Sequence, residues 1–185
     1  MNGLQQKLHT GNPLRALVLT AVMAALEFVL HRVLSFQTWS IQLHLGFIPI
    51  VILAILCGPV YAAVGAALGE MLGYFLLPSP GAFYFPGFTI TAFITGLIFG
   101  FFLYQTKKKY SSVIIPVILV NILLTFGLDM YWLHVLYQWS FIVMLPDRFL
   151  KIALMIPAQL LLIFPLRELL RRHFGTWISL PRAKE

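Results

Sequence analysis

The chain has 185 residues, of which 60% are hydrophobic and only 10% are charged. Water-soluble domains carry about 25% charged residues, so the composition excludes an ordinary soluble domain and predicts one all-α integral membrane domain, residues 1–185. The net charge is +7, but the basic residues are not interleaved with polar residues to form a basic surface. The sequence therefore argues against a nucleic-acid binder.

Six apolar segments follow one another along the chain. A membrane-crossing helix needs about 20 mostly apolar residues, and the second segment is short enough to be a short or tilted helix. The first opens at Asn12-Pro13, a cap followed by a proline, and the second ends at Cys57-Gly58-Pro59. The six predicted helices are residues 14–34, 45–56, 59–77, 89–104, 112–137 and 145–170.

The distribution of Lys and Arg predicts the orientation. Ten of these 13 residues lie in the N-terminal tail, in the run 107–109 and in the C-terminal tail. Cytoplasmic loops carry an excess of Lys and Arg. We therefore expect both termini, and the connection between helices four and five, to be cytoplasmic. The connections 31–44, 78–88 and 137–145 then face outside.

Three cations break this pattern: Arg32, Arg148 and Lys151 lie at the predicted outer ends of helices one and six. Arg148 and Lys151 are three residues apart and share one helix face. Each could snorkel towards the headgroups, with Asp147 as a local counter-charge. Three cations converging at one end favour a binding site for an anion.

The outer segment 78–89 combines prolines and glycines with several aromatic residues. Proline and glycine disfavour regular helix, while the aromatic side chains make the segment too apolar for a mobile loop. We expect a lid that folds inward, with Thr89 capping helix four. An interfacial aromatic belt is the alternative. The residues of this segment expected at the site are Tyr84, Phe85, Pro86, Gly87, Phe88 and Thr89.

Three acidic residues, Glu27, Glu70 and Asp129, lie within predicted spans. Buried carboxylates are costly unless they are paired or hydrogen-bonded. They could accept hydrogen bonds from N–H groups of a ligand, or pair internally with Arg32, His44 or His134. A proton-coupled carrier would also use such groups, so the carboxylates alone leave the function open.

Two alanines on helix one, Ala21 and Ala25, are four residues apart and form a small-residue patch. The patch suits close docking of another helix, and ordinary packing is the alternative.

The sequence shows no catalytic motif. It contains no nucleophile elbow, no paired-histidine metal motif and no phosphate-binding glycine loop. We therefore expect a protein that is not an enzyme, uses no cofactor or metal, and cannot drive transport with ATP by itself.

Several motifs together resemble the folate-type substrate-binding subunits, or S components, of energy-coupling factor (ECF) transporters. The resemblance covers roughly residues 14–165 and is strongest around Pro86-Gly87-Phe88-Thr89. The other matching runs are Arg32-Val33-Leu34-Ser35, Leu45-Gly46-Phe47-Ile48-Pro49-Ile50, the Gly/Ala-rich third helix from Gly58-Pro59 to Gly73, Leu145-Pro146-Asp147-Arg148-Phe149-Leu150-Lys151 and Pro157-Ala158-Gln159.

The resemblance implies a six-helix vitamin binder in a prokaryotic cell membrane, with its pocket facing outside. It implies a membrane scaffold subunit and two ATPases as partners, with Ala21 and Ala25 contacting the scaffold. Folate fits the residues, because a flat pterin with N–H donors matches Glu70 or Asp129 and aromatic walls such as Phe85, Phe88 and Trp132. The two tail carboxylates match Arg32, Arg148 and Lys151. Another anionic vitamin, such as pantothenate, is the alternative ligand.

Overall fold

The computed structural model describes residues 13–33, 35–37, 42–77, 84–104, 110–138 and 140–174. This part of the chain is helical, apart from two two-residue strands that pair antiparallel. In chain order the elements are α1 (Pro13–Phe28, continued by a π-helical segment Val29–Val33), β1 (Phe36–Gln37), β2 (Gln42–Leu43), α2 (Phe47–Leu56), α3 (Pro59–Leu76), α4 (Pro86–Leu103), α5 (Ser111–Leu119, π-helical Val120–Leu128 and Asp129–Tyr137) and α6 (Phe141–Phe174).

Five of the described helices are long and apolar enough to cross a membrane: α1, α3, α4, α5 and α6. The prediction of a helical membrane protein is therefore confirmed. The remaining helix, α2, has ten residues and is about 15 Å long, half the thickness of the hydrocarbon core. Its side chains are mostly buried, so α2 lies inside the bundle, and a sixth crossing stays a prediction.

Helices α3 and α4 pack with their backbones close together. A methyl group added at Gly96 of α4 would overlap the backbone of Ala62, and one at Gly100 would overlap Pro59. Only glycine lets the two backbones approach this closely, because any side chain would fill the space between them. Ala62, one of the small residues that the sequence concentrates in helix three, is thus used for helix packing.

Two helices contain π-helical segments, in which the backbone makes wider turns than in an α-helix. The first, Val29–Val33, carries His31 and Arg32. The second, Val120–Leu128, ends directly before Asp129. Such segments often accompany functional sites, and both lie on helices that carry predicted site residues.

Two predictions about helix ends are wrong. Helix α4 begins at Pro86, with Phe85 as the residue before it, so Thr89 lies in the first helical turn and is not the cap. A proline fits the first turn of a helix, because its missing N–H would have no helical partner there. Helix α6 begins at Phe141, so Arg148 and Lys151 lie about two and three turns inside it. Residues 78–83 of the expected lid lie outside the described residues.

Candidate functional site

One histidine ring joins two carboxylates between α1 and α3. The Nδ1 atom of His31 lies 3.1 Å from Oε1 of Glu27 and 3.1 Å from Oε2 of Glu70. Glu27 is one turn before His31 on α1, while Glu70 reaches across from α3. Both glutamates are buried, with 4% and 9% of their surface exposed. His31 was not among the internal partners that the sequence suggested for these carboxylates.

Two glycines of α3 make room for the charged side chains of α1. A Cβ atom at Gly69 would overlap the carboxylate of Glu27, and one at Gly73 would lie 2.9 Å from Nε of Arg32. The glycines therefore allow both side chains to lie between the two helices. Larger residues at these positions would push the charged groups away from their partners.

A second histidine covers the first. The rings of His31 and His44 stack with their centroids 4.0 Å apart. His44 lies in the connection between α1 and α2, outside the spanning helices. Burial, reinforced by the positive charges of His31, Lys151 and Arg32, holds the pKa of His44 well below its usual range. His44 is therefore neutral at physiological pH.

Arg32 is linked to the start of α4 by aromatic rings. Its guanidinium carbon lies 4.6 Å from the ring centre of Tyr74, within the range of a cation–π interaction. Tyr74 meets the ring of Tyr84 edge-on at 5.7 Å. The hydroxyl of Tyr84 lies 3.1 Å from that of Thr89. Three of the predicted site residues, Arg32, Tyr84 and Thr89, thus belong to one connected set.

The predicted aromatic wall comes together from α4 and α5. The Phe85 ring lies 5.4 Å from that of Trp132 and 6.0 Å from that of Phe88. Gly87 is buried beneath Phe85 and Trp132, where a Cβ atom would overlap both rings. Trp132 also donates a hydrogen bond from Nε1 to the hydroxyl of Thr91, at 3.2 Å. This hydrogen bond fixes the orientation of the indole ring against α4.

The two cations of α6 face Asp129 of α5. The charges of Lys151 and Arg148 both act on the Asp129 carboxylate, and Lys151 also acts on Glu70. Arg148 is 6% exposed. A snorkelling arginine keeps its guanidinium in water, so this degree of burial favours a role inside the bundle. The charge of Lys151 therefore acts on carboxylates of two different helices, Glu70 of α3 and Asp129 of α5.

The alanine patch lies on the outside of the bundle. Ala21 and Ala25 are exposed on α1, whereas Ala24 between them is buried. Their exposed neighbours are apolar, as expected of a surface that meets lipid or another membrane protein.

The sequence did not predict His31, His44 and Tyr74 as residues of the candidate site. One signal for His31 was available, because Glu27 and His31 are four residues apart and share a helix face. His44 and Tyr74 come from other elements, and no spacing in the sequence connects them to the site.

A bundle of apolar helices that encloses charged and aromatic groups defines a membrane protein with an internal polar site, as in membrane transporters. Residues 12–163 match the model of one family, described as ECF-type riboflavin transporter, S component. The chain belongs to this family of transporter components. The predicted membership among S components of ECF transporters is thereby confirmed.

Individual relatives are similar over most of their length. The folate transporter FolT of Clostridium novyi (strain NT) is 34% identical over 148 residues, which cover 80% of this chain and 85% of that protein. The folate transporter FolT of Leuconostoc mesenteroides subsp. mesenteroides is 33% identical over 151 residues, 78% and 80% of the two chains. A solved structure, described as the crystal structure of FolT bound with folic acid, matches with a TM-score of 0.77 at 29% identity. The matched region covers 83% of this chain and 93% of the chain in the solved structure.

Proposed function

We propose that the chain is a high-affinity folate-binding S component of an ATP-driven importer. It binds folate in a pocket that faces outside a prokaryotic cell membrane and performs no chemistry itself. The observation that carries this proposal is the meeting of carboxylates, cations and aromatic rings inside one apolar bundle. Two similar proteins are folate transporters, and a third is described as bound with folic acid, which supports the choice of ligand.

The two ends of folate suit different parts of the site. The pterin ring is flat and carries N–H donors, which match the aromatic rings of Phe85, Phe88 and Trp132 and the buried carboxylates. The glutamate tail carries two carboxylates, which match the cations Arg32, Arg148 and Lys151. The aromatic side chains hold the pterin ring, and charge-assisted hydrogen bonds from the cations orient the glutamate tail.

Riboflavin is the obvious competitor, because the family description names it. Riboflavin has a flat ring but no carboxylate, so it would leave the buried Arg148 without an anionic ligand group. Pantothenate has one carboxylate but no flat ring, so it would leave the aromatic wall without a partner. Folate is the one of the three vitamins that uses both features of the site.

Transport is proposed to require a membrane scaffold subunit, which docks on the exposed patch of Ala21 and Ala25, and two ATPases. The small side chains allow a partner helix to approach the α1 backbone closely. A stand-alone proton-coupled carrier is the alternative from the sequence. It would import folate without ATPases.

The test is uptake of tritiated folic acid by cells that express this chain alone or together with the scaffold and both ATPases. We expect uptake only with the full set of subunits, and inhibition by unlabelled folic acid but not by riboflavin or pantothenate. Uptake by the chain alone would favour the carrier. Inhibition by riboflavin at concentrations similar to those of folic acid would contradict the choice of ligand.

A further inference from the structure

The carboxylates of Glu27 and Glu70 compete for one hydrogen. A histidine Nδ1 carries at most one proton, yet His31 Nδ1 lies 3.1 Å from an oxygen of each glutamate. The N–H is therefore shared, and neither carboxylate receives a full hydrogen bond. Among the described residues, Oε2 of Glu27 is also buried without a hydrogen-bond partner. The triad of Glu27, His31 and Glu70 is thus short of hydrogen-bond donors.

The two glutamates differ in how a ligand could reach them. Glu27 is wedged against Gly69 of α3, and only 5% of its side chain is exposed. Glu70 is more open, with 11% of its side chain exposed, and the His31 side chain is 14% exposed. A ligand would therefore meet Glu70 first. Glu27 lies behind it and acts through His31.

We propose that Glu70, oriented by His31 and Glu27, binds the edge of the pterin ring that carries the 2-amino group and the neighbouring ring N–H. This inference rests on the proposed function. The edge offers two adjacent donors, and a carboxylate accepts two parallel hydrogen bonds. Each carboxylate oxygen has two lone pairs, so Oε2 of Glu70 can accept from His31 and from the ligand together. The ligand thereby supplies Glu70 with hydrogen-bond donors that the shared N–H of His31 does not provide.

The same triad selects against flavins. The corresponding edge of the riboflavin ring carries one N–H between two carbonyl oxygens. Facing Glu70, the carbonyls would place oxygen lone pairs against a buried carboxylate that is already short of donors. Unpaired buried acceptors are costly, so this edge is rejected. Glu70 is in this account a specificity residue, and His31 and Glu27 are positioning residues.

A cation is the competing occupant. The three ligand atoms of Glu27, His31 and Glu70 lie within 4.8 Å of one another, a spacing that a divalent metal ion could use. The charge of Arg32 acts on both carboxylates and that of Lys151 on Glu70. These positive neighbours disfavour a further cation and favour a neutral edge with N–H donors.

The test compares the dissociation constants of folic acid and its 2-desamino-2-methyl analogue, which lacks the exocyclic amino donor. A hydrogen bond to a charged group corresponds to a factor of about 10 to 150, so the wild-type protein should prefer folic acid by about that factor. In Glu70→Gln the preference should fall to about threefold or less. Asp129→Asn tests the other candidate carboxylate: if Glu70 binds the amino edge, the preference should remain in this variant.

The positioning role has its own variants. His31→Leu should lose most of the preference, whereas His31→Asn, which keeps an amide N–H near the position of Nδ1, should recover it in part. Loss of fold would lower the affinity for both ligands, but it would not change their ratio selectively.

Three results would overturn the inference, and they differ from failure of the proposed function. An unchanged preference in Glu70→Gln places the amino edge elsewhere. Loss of the preference in Asp129→Asn alone assigns that role to Asp129. Folic acid binding that is abolished by EDTA and restored by Zn²⁺ or Mn²⁺ makes the triad a cation site. If wild-type protein does not bind folic acid at all, the proposed function itself fails.

Discussion

Replacement of the buried Arg148 by alanine tests how the site holds the anionic tail of its ligand. The side chain is 6% exposed and its charge acts on Asp129, so Arg148 is packed within the bundle. A hydrogen bond to a charged group contributes about 1.5–3 kcal/mol. Arg148→Ala should therefore weaken folic acid binding by about 10- to 150-fold. Lys151 still faces Asp129 in the variant, so the protein should stay folded.

The assay measures equilibrium binding of tritiated folic acid and pteroic acid to purified protein. Pteroic acid has the ring system of folic acid but lacks the glutamate, so its affinity should change by about twofold or less. Arg148→Lys is the matched control, because it keeps the charge but loses the planar fork, and its effect on folic acid should be smaller. Size-exclusion elution reports whether each variant is folded. An unchanged dissociation constant for folic acid, or an equal loss for pteroic acid, would refute the assignment of Arg148 to the tail.

Three other perturbations have defined outcomes. Ala21→Leu with Ala25→Leu should block folate uptake by the complete transporter and leave folic acid binding in detergent unchanged; if uptake persists, the docking surface lies elsewhere. Gly69→Ala should lower the affinity for folic acid by about tenfold or more, because the added Cβ displaces the Glu27 carboxylate. Gly127→Ala is the control and should leave the affinity unchanged, because Gly127 has open space around it. Equal losses of affinity in the two variants would argue against a positioned Glu27 carboxylate. The pKa of His44 is lower in the folded protein than in the unfolded chain. Its contribution to stability is therefore fully present above pH about 6.5, the usual pKa of histidine, and is lost as the pH falls towards the lower pKa of the folded state. The reason is that the unfolded chain then takes up a proton that the folded chain does not. The melting temperature of His44→Gln should therefore vary less between pH 7 and pH 5, and a slope equal to that of wild type would contradict this.

The membrane class and most of the helical segments could be predicted from the sequence, because long apolar runs separated by polar breaks determine them. The start of α4 could not, since Pro86 can either break a helix or begin one, and the sequence alone does not distinguish these two roles. The helix of ten residues, α2, shows the limit of counting apolar residues, because its length alone does not distinguish a crossing from a buried core helix.

The site was predictable in its residue types and less so in its contacts. The prolines and glycines of segment 78–89 predicted the aromatic rings at the start of α4, and the distribution of Lys and Arg predicted the cations on α6. That one His31 nitrogen lies between Glu27 and Glu70 depends on the angle between α1 and α3, which Gly69 allows but does not specify. Tertiary contacts of this kind have no period in the sequence, so only the three-dimensional arrangement reveals them.

The central claim is that the cluster inside the bundle binds folate, and calorimetric titration of purified wild-type protein tests it most directly. Folic acid should saturate one site per chain, and riboflavin titrated under the same conditions should give no binding heat. Saturation of one site by riboflavin, with no heat from folic acid, would contradict the account.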